Sequence, residues 1–218
     1  MKVGVLGTGM VGQAIATGLV GCGHEVKMGA RESGNEKAVA WAADAGDSAG
    51  EGSFADAASF GELLFNCTAG TASVEALRAA GAGNLAGKVL VDVANPLDFS
   101  QGMPPTLAVS NDDSLGETIQ REFPDARVVK SLNTVNAAVM TDSAAVPGDH
   151  VVFVCGDDEQ AKREVTALLG EFGWSEDRVV DLGDISAARG AEMYLPLWLR
   201  MMGALCTPSF NIAVVRGV

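Results

Sequence analysis

An α/β fold with a doubly wound parallel sheet is what this 218-residue sequence predicts, on three observations. Short, unbroken apolar runs alternate with helical patterns along most of the chain, as strands buried on both faces of a parallel sheet do. The first run leads at once into Gly7-x-Gly9-x-x-Gly12 and a helical pattern. Apolar residues make up 48% and charged residues 20%, the balance of a packed domain rather than a disordered or fibrous chain.

Residues 3–6, 26–28, 63–67, 89–93, 128–129 and 151–155 read as strands because they are short and continuously apolar. Residues 10–20, 36–45, 74–80 and 115–123 carry helical spacing between them, and the Ala-, Gly-, Ser- and Asp-rich stretch 44–59 reads as a mobile connection. After His150 the pattern becomes that of a small α/β extension ending in helices. Asp157, Asp158 and Glu159 lead a helix carried by Ala161, Val165, Leu168, Leu169 and Phe172, with Gly173 at the stop position. From Ala187 a Met- and aromatic-rich stretch follows, in which Pro196 is expected to kink a helix. Adaptable Met and Trp side chains there suit a core or dimer-forming role, with a ligand wall as the alternative. The division expected is a dinucleotide-binding domain over 1–148 and a smaller lobe over 149–218 for the second substrate and dimerisation.

With 28 acidic against 15 basic residues, the net charge of −13 repels nucleic acid and anionic lipid, so an anionic ligand must be held by a local cluster of donors. Cys22, Cys67, Cys155 and Cys206 lie far apart with no Cys-x-x-Cys pair, so neither metal nor disulfide is suggested and buried free thiols are expected. The chain opens directly on a strand-like run, and no stretch approaches ~20 uninterrupted apolar residues. A cytoplasmic protein without membrane contact is expected.

The glycine pattern, placed between strand and helix, is a Rossmann-type dinucleotide fingerprint. Gly7 permits the tight turn, Gly9 lets backbone approach a pyrophosphate, and Gly12 allows close helix–strand packing. Thr8, Met10 and Val11 complete the cradle, and the helix amino terminus offers free N–H groups to phosphate. An NAD site commonly carries Asp or Glu at the end of the second strand; here Gly29 and Ala30 stand there, followed by Arg31. A guanidinium suits a 2′-phosphate, which points to NADP(H), with Ser33 and Lys37 as further donors and Glu32 turned outward. His24 and His150 read as surface or cap residues, leaving Lys130 as the one candidate for a proton relay.

Beyond the fingerprint, GHEVKMGAR around the second strand, CGDDEQAKREVTALLGEFG at 155–173 and DLGDISAARGAEMYLPLWLRMMG at 181–203 resemble the family of NADP-dependent oxidoreductases that use the deazaflavin coenzyme F420. The likeness extends more loosely to the reductase domain of six-transmembrane metalloreductases, which passes electrons from NADPH to a flavin. The resemblance implies a nucleotide site at the glycine turn with Arg31 and Lys37 on the 2′-phosphate, and Thr68, Ala69, Ala94, Asn95 and Pro96 flanking ribose and nicotinamide. It implies hydride transfer between NADP(H) and coenzyme F420 or a flavin as co-substrate. In VVKSLNTVNAAVM the chain departs from the family pattern, with Asn133 in place of histidine and Asn136 in place of proline. Asn133 is then the residue expected to orient the nicotinamide or the acceptor through its amide.

Two other readings stay open. One is an NADPH-dependent reductase of a small carbonyl or imine, with Lys130 or Asn133 polarising the substrate. The other is a non-catalytic NADP(H) sensor whose C-terminal helices dock on a partner. A homodimer through those helices accounts for the same apolar surface.

Overall fold

The computed structural model describes residues 1–217. The chain runs β1 (Lys2–Leu6), α1 (Met10–Gly21), β2 (Glu25–Ala30), α2 (Glu36–Ala45), β3 (Ala49–Ser53), α3 (Phe54–Phe60) and β4 (Leu63–Asn66). Then come α4 (Ser73–Ala80), α5 (Ala82–Leu85), β5 (Val89–Asp92), a hairpin of β6 (Leu97–Asp98) and β7 (Thr106–Leu107), and α6 (Leu115–Glu122). The last part is β8 (Arg127–Ser131), α7 (Ala137–Met140), β9 (Val152–Cys155), α8 (Glu159–Glu171), β10 (Val179–Asp181), α9 (Ala188–Met193) and α10 (Leu195–Leu205).

Eight strands form one sheet in the order β10-β9-β8-β5-β4-β1-β2-β3. Strands β8, β5, β4, β1, β2 and β3 pair in parallel, while β9 joins β8 antiparallel and carries β10 parallel to itself. The β9–α8–β10 crossover therefore prolongs the same sheet in the opposite sense. On one face Ile15, Leu19, Trp41, Met140 and Leu168 seat α1, α2, α7 and α8; on the other Phe54, Leu77, Leu85 and Ile119 seat α3 to α6. Strand residues alternate between these two cores, Val5 and Val91 facing one and Leu64 and Leu90 the other.

Several expectations are corrected. The stretch 44–59 is no loose connection: it ends α2, forms β3 and starts α3. β3 has little propensity of its own, but it is held in register by β2, from Val26 opposite Ala49 to Ala30 opposite Ser53. Ser53 and Asp56 then close a capping box that starts α3. Pro196 sits in the first turn of α10, just after Tyr194, where the helical run is interrupted between α9 and α10. Within α10 only Leu195 is buried, so this helix is not core within the chain. Of the four thiols, Cys155 is buried and Cys67 half-buried, while Cys22 and Cys206 are exposed.

Both histidines are buried rather than on the surface, and each joins segments distant in sequence. His24 Nε2 lies 2.8 Å from a Glu171 carboxylate oxygen, tying β2 to α8. His150 lies edge-on to Trp174 and its Nε2 is 3.0 Å from the Ser143 carbonyl oxygen.

Candidate active site

The carboxyl ends of the parallel strands open onto two adjoining cavities. The first, of about 530 Å³, is walled by the glycine turn, the end of β2 and one side of α4. Gly7 has φ +123°, and a Cβ there would stand 2.6 Å from the Cys67 carbonyl oxygen. A Cβ at Gly12 would collide with the Gly7 carbonyl oxygen, whereas one at Gly9 would have no atom within 4 Å. Two glycines are thus required by packing and the third leaves open space over the backbone. α1 has Gly9 as its N-cap and no side-chain cap, so its first N–H groups remain available to a ligand. This donor set and open cradle fit a dinucleotide pyrophosphate.

Ala30 and the exposed Arg31 line this cavity, as does Asn35, whose Oδ1 accepts the Lys37 and Ala38 N–H groups at 3.2 and 3.3 Å to cap α2. Ser33 and Lys37 stand exposed on the same β2–α2 connection but outside the lining. Ser33 Oγ donates to Glu51 at 3.2 Å, an acidic neighbour the sequence did not reveal. Glu32 is exposed.

The second cavity, of about 390 Å³, shares Gly9, Cys67, Thr68 and Ala69 with the first. Its floor is the ends of β4, β5 and β8. A Cβ at Gly70 would collide with the Asn95 carbonyl oxygen, so the turns after β4 and β5 lie directly on one another. Asn66 locks them: its Nδ2 donates to Asp92 Oδ1 at 2.8 Å and to Ser73 Oγ at 3.0 Å, and its Oδ1 accepts the Thr68 hydroxyl at 2.7 Å. Ala94 and Asn95 line the cavity, while Pro96 is buried behind it.

Asn133 does line the cavity. Its Nδ2 donates to Asn95 Oδ1 at 2.9 Å and to the Ala191 carbonyl at 3.0 Å, and its main-chain carbonyl accepts from Asn95 Nδ2 at 2.9 Å. With both amide protons engaged, the side-chain carbonyl is the group left for a ligand. The preceding Leu132 is held at φ +61°, a left-handed conformation costly for a branched side chain, and it sits where strand gives way to site. Asn136 caps α7, accepting the Ala138 N–H at 3.0 Å.

Lys130 is not a relay open to substrate. It is 1% exposed and lies outside the lining, with its Nζ 2.7 Å from Asp92 and 2.9 Å from Glu192 and a further bond to the Ala94 carbonyl. Burial alone would lower the ammonium's pKa, but the two carboxylates outweigh it and hold Lys130 above its ordinary value. Glu192 also accepts the Leu115 and Gly116 N–H groups at 2.8 and 3.0 Å, capping α6. Lys130 thus ties β5, α6 and α9 together behind the site. The Cys67 thiol is pushed up by burial and by the Asp92 charge, so it stays protonated at neutral pH.

A roof comes from α10 through Leu195 and Trp198, the indole stacked on Phe210 at 5.3 Å between ring centroids. Beneath it Thr134 Oγ1 and Trp198 Nε1 are buried without a hydrogen-bond partner. Leu195, Trp198 and Phe210 lie in the stretch whose alternative reading is a ligand wall, while Thr134 was not singled out, since only the return of the chain over the sheet brings it there.

The sheet order and the glycine turn define a protein of the Rossmann-type dinucleotide-binding class. The sequence profile of the family "NADP oxidoreductase coenzyme F420-dependent" matches residues 2–96. The chain is 52% identical to a crystal structure of a candidate F420-dependent NADP reductase from Arthrobacter sp. FB24, with a TM-score of 0.93 over 99% of this chain and 100% of that one. It is 33% identical over 114 residues to the F420-dependent NADP reductase of Methanocaldococcus jannaschii, covering 52% of this chain and 50% of that protein. It is 31% identical over 204 residues to the rat metalloreductase STEAP3, covering 90% of this chain but 38% of the rat protein. These matches span half or less of the curated relatives' lengths. The chain belongs to the family of coenzyme F420-dependent NADP oxidoreductases. No helix among the described residues is long and apolar enough to cross a membrane.

Proposed function

We propose that this protein transfers a hydride between NADP(H) and a deazaflavin, coenzyme F420, or a flavin-like acceptor. The carrying observation is that the two cavities share Gly9, Cys67, Thr68 and Ala69, so a dinucleotide along the first ends against whatever fills the second. NADPH supplies a hydride, and the acceptor ring takes that hydride and one proton from water, giving NADP⁺ and the dihydro acceptor. The turn from Gly7 to Gly12 and the α1 terminus hold the pyrophosphate. Arg31 holds the 2′-phosphate, with Ser33 and Lys37 on the same rim. Thr68, Ala69, Ala94 and Asn95 flank ribose and nicotinamide, Pro96 sets the β5 turn behind them, and the Asn133 carbonyl orients the ring. Trp198 and Leu195 exclude water from above.

A carbonyl or imine reductase would have to rely on Asn133 alone, because Lys130 is committed to Asp92 and Glu192. The protein acts in the cytoplasm as a homodimer, pairing through α10, whose Leu197 and Leu205 are exposed. The test is anaerobic NADPH oxidation with coenzyme F420, FMN and FAD as separate acceptors and NADH alongside. Bleaching of F420 or a flavin by NADPH supports the reading; turnover with none of them sinks it and moves weight to a small carbonyl, an imine or a sensor.

A further inference from the structure

The β2–α2 connection, on whose rim Arg31 stands, already holds an anion of the protein's own. Glu51, half-buried on β3, accepts the Ser33 hydroxyl at Oε1, 3.2 Å away, and the Gly34 N–H at Oε2, 2.9 Å away. Gly34 has φ +78°, and turns with a left-handed residue are where main-chain N–H groups gather around anions. Each oxygen of the carboxylate is thus met by one donor of the turn, as two oxygens of a phosphate would be.

The neighbouring groups make this contact consequential. The next main-chain donors are already spent, since Asn35 Oδ1 accepts the Lys37 and Ala38 N–H groups. Arg31 and Lys37 are exposed and form no ion pair among the described residues, and neither does Glu51. Glu32 and Glu36 are exposed on the same connection and hold neither donor. Two cations are therefore free for a ligand, while the two neutral donors beside them are held by a carboxylate.

A phosphate monoester carries a charge of about −1.5 to −2 near neutral pH. Drawn to Arg31, it meets Glu51 as a like charge, and the Ser33 hydroxyl has a single proton that cannot serve both. The β3 backbone is fixed by its pairing, with Glu51 opposite Met28, so only the side chain is able to swing aside. A nucleotide with a free 2′-hydroxyl meets no such conflict.

We propose that Glu51 is an internal competitor for the 2′-phosphate: it holds the Ser33 hydroxyl and the Gly34 N–H that the phosphate takes, and so sets the margin by which NADP(H) is preferred over NAD(H). This rests on the NADP(H) site proposed above and names the residue that limits its selectivity.

Calorimetric titration of NADP⁺ and NAD⁺ into wild type and Glu51→Gln, at low and at physiological salt, is the test. The amide keeps the size of the side chain and an oxygen for the Gly34 N–H, and loses the charge. NADP⁺ is expected to bind about three- to tenfold more tightly to the variant at low salt, with a gain that shrinks as salt rises, while NAD⁺ stays within about twofold. Unchanged or weaker NADP⁺ binding overturns the proposal and leaves Glu51 as a brace of the turn. An equal gain for both nucleotides overturns it too, because the effect would then not lie at the 2′ position. In Ser33→Ala the contested proton is gone, so adding Glu51→Gln to it should gain less than it does alone; the full gain in that background would deny the contest for Ser33. Wild-type protein that binds NAD⁺ as tightly as NADP⁺ sinks the NADP(H) reading itself, an outcome distinct from selective NADP⁺ binding that Glu51→Gln leaves untouched.

Discussion

The two cavities meet at Thr68 and are built in opposite ways. The nucleotide side is centred on backbone from neighbouring segments, one glycine turn, the end of the adjacent strand and the amino terminus of one helix, with α4 as its far wall. The acceptor side is made of the turns after β4, β5 and β8 and of side chains from α7 and α10, brought together by packing and by one buried lysine. A backbone cradle tolerates few substitutions and is written locally; a side-chain cavity is written across the whole chain and can change its ligand while the fold stays. In this molecule the acceptor side carries Asn133 where the family pattern expects histidine, while the glycine turn is intact.

The largest expected effect comes from breaking what holds the acceptor side together. Lys130→Met leaves Asp92 and Glu192 buried without their cation, and removing one partner of such a group costs about 3–5 kcal/mol. Urea unfolding measures it. In the fraction that folds, NADP⁺ should still bind at the glycine turn while flavin affinity falls. Equal losses of both ligands would mean that the two sides are not built independently.

Next come the glycines, which separate packing from binding within the nucleotide side. Gly12→Ala forces a methyl into the Gly7 carbonyl and is expected to lower stability by about 1–3 kcal/mol as well as binding. Gly9→Ala places its methyl in open space, so stability should stay within about 0.5 kcal/mol. NADP⁺ should nonetheless bind about tenfold more weakly. Calorimetric Tm and titration of the same two variants check both, and a Gly9→Ala protein binding like wild type would deny the pyrophosphate its place. Smaller still is Arg31→Ala: NADPH should lose about 1.5–3 kcal/mol, some ten- to a hundredfold in Kd, while NADH is unchanged.

What could be read in advance follows the same division. The central strands were legible because a strand buried on both faces has to be continuously apolar, and the glycine turn was legible because its constraint is local. β3, with Ala49, Gly50 and Gly52, carries no such signal, since its partner β2 supplies what its composition does not. The start of α3 did carry one, Ser53 followed three residues later by Asp56, hidden in a polar stretch. Pro196 was legible as an interruption, and the helical run does break directly before it, between α9 and α10. Lys130, Thr134 and Trp198 were beyond reach for a common reason: their roles depend on partners 38 or more residues away, or on having none at all.

The gentlest way to separate the two sides is acid. The carboxyl-terminal part is fastened to the sheet by carboxylates paired with arginine. Asp158 at the amino terminus of α8 accepts from Arg127 of β8 at 2.8 Å and caps its own helix, and these bonds pull its carboxyl down from 3.8 to about 2. Glu117 of α6 is likewise lowered, mainly by its bonds from Arg189 of α9. A carboxyl whose pKa is depressed on folding stabilises the fold fully above its unfolded value and loses that contribution as pH falls toward the folded one. The Asp158 share is therefore complete above about pH 4 and fades between there and about pH 2. The glycine turn contains no ionisable side chain at all. Hydrogen exchange followed as pH is lowered should show α6, α8 and α9 losing protection before β1, α1 and β2, with NADP⁺ binding outlasting flavin binding. Loss of protection first at β1 and α1 would show that the glycine turn depends on the carboxyl-terminal fastening rather than standing on its own backbone.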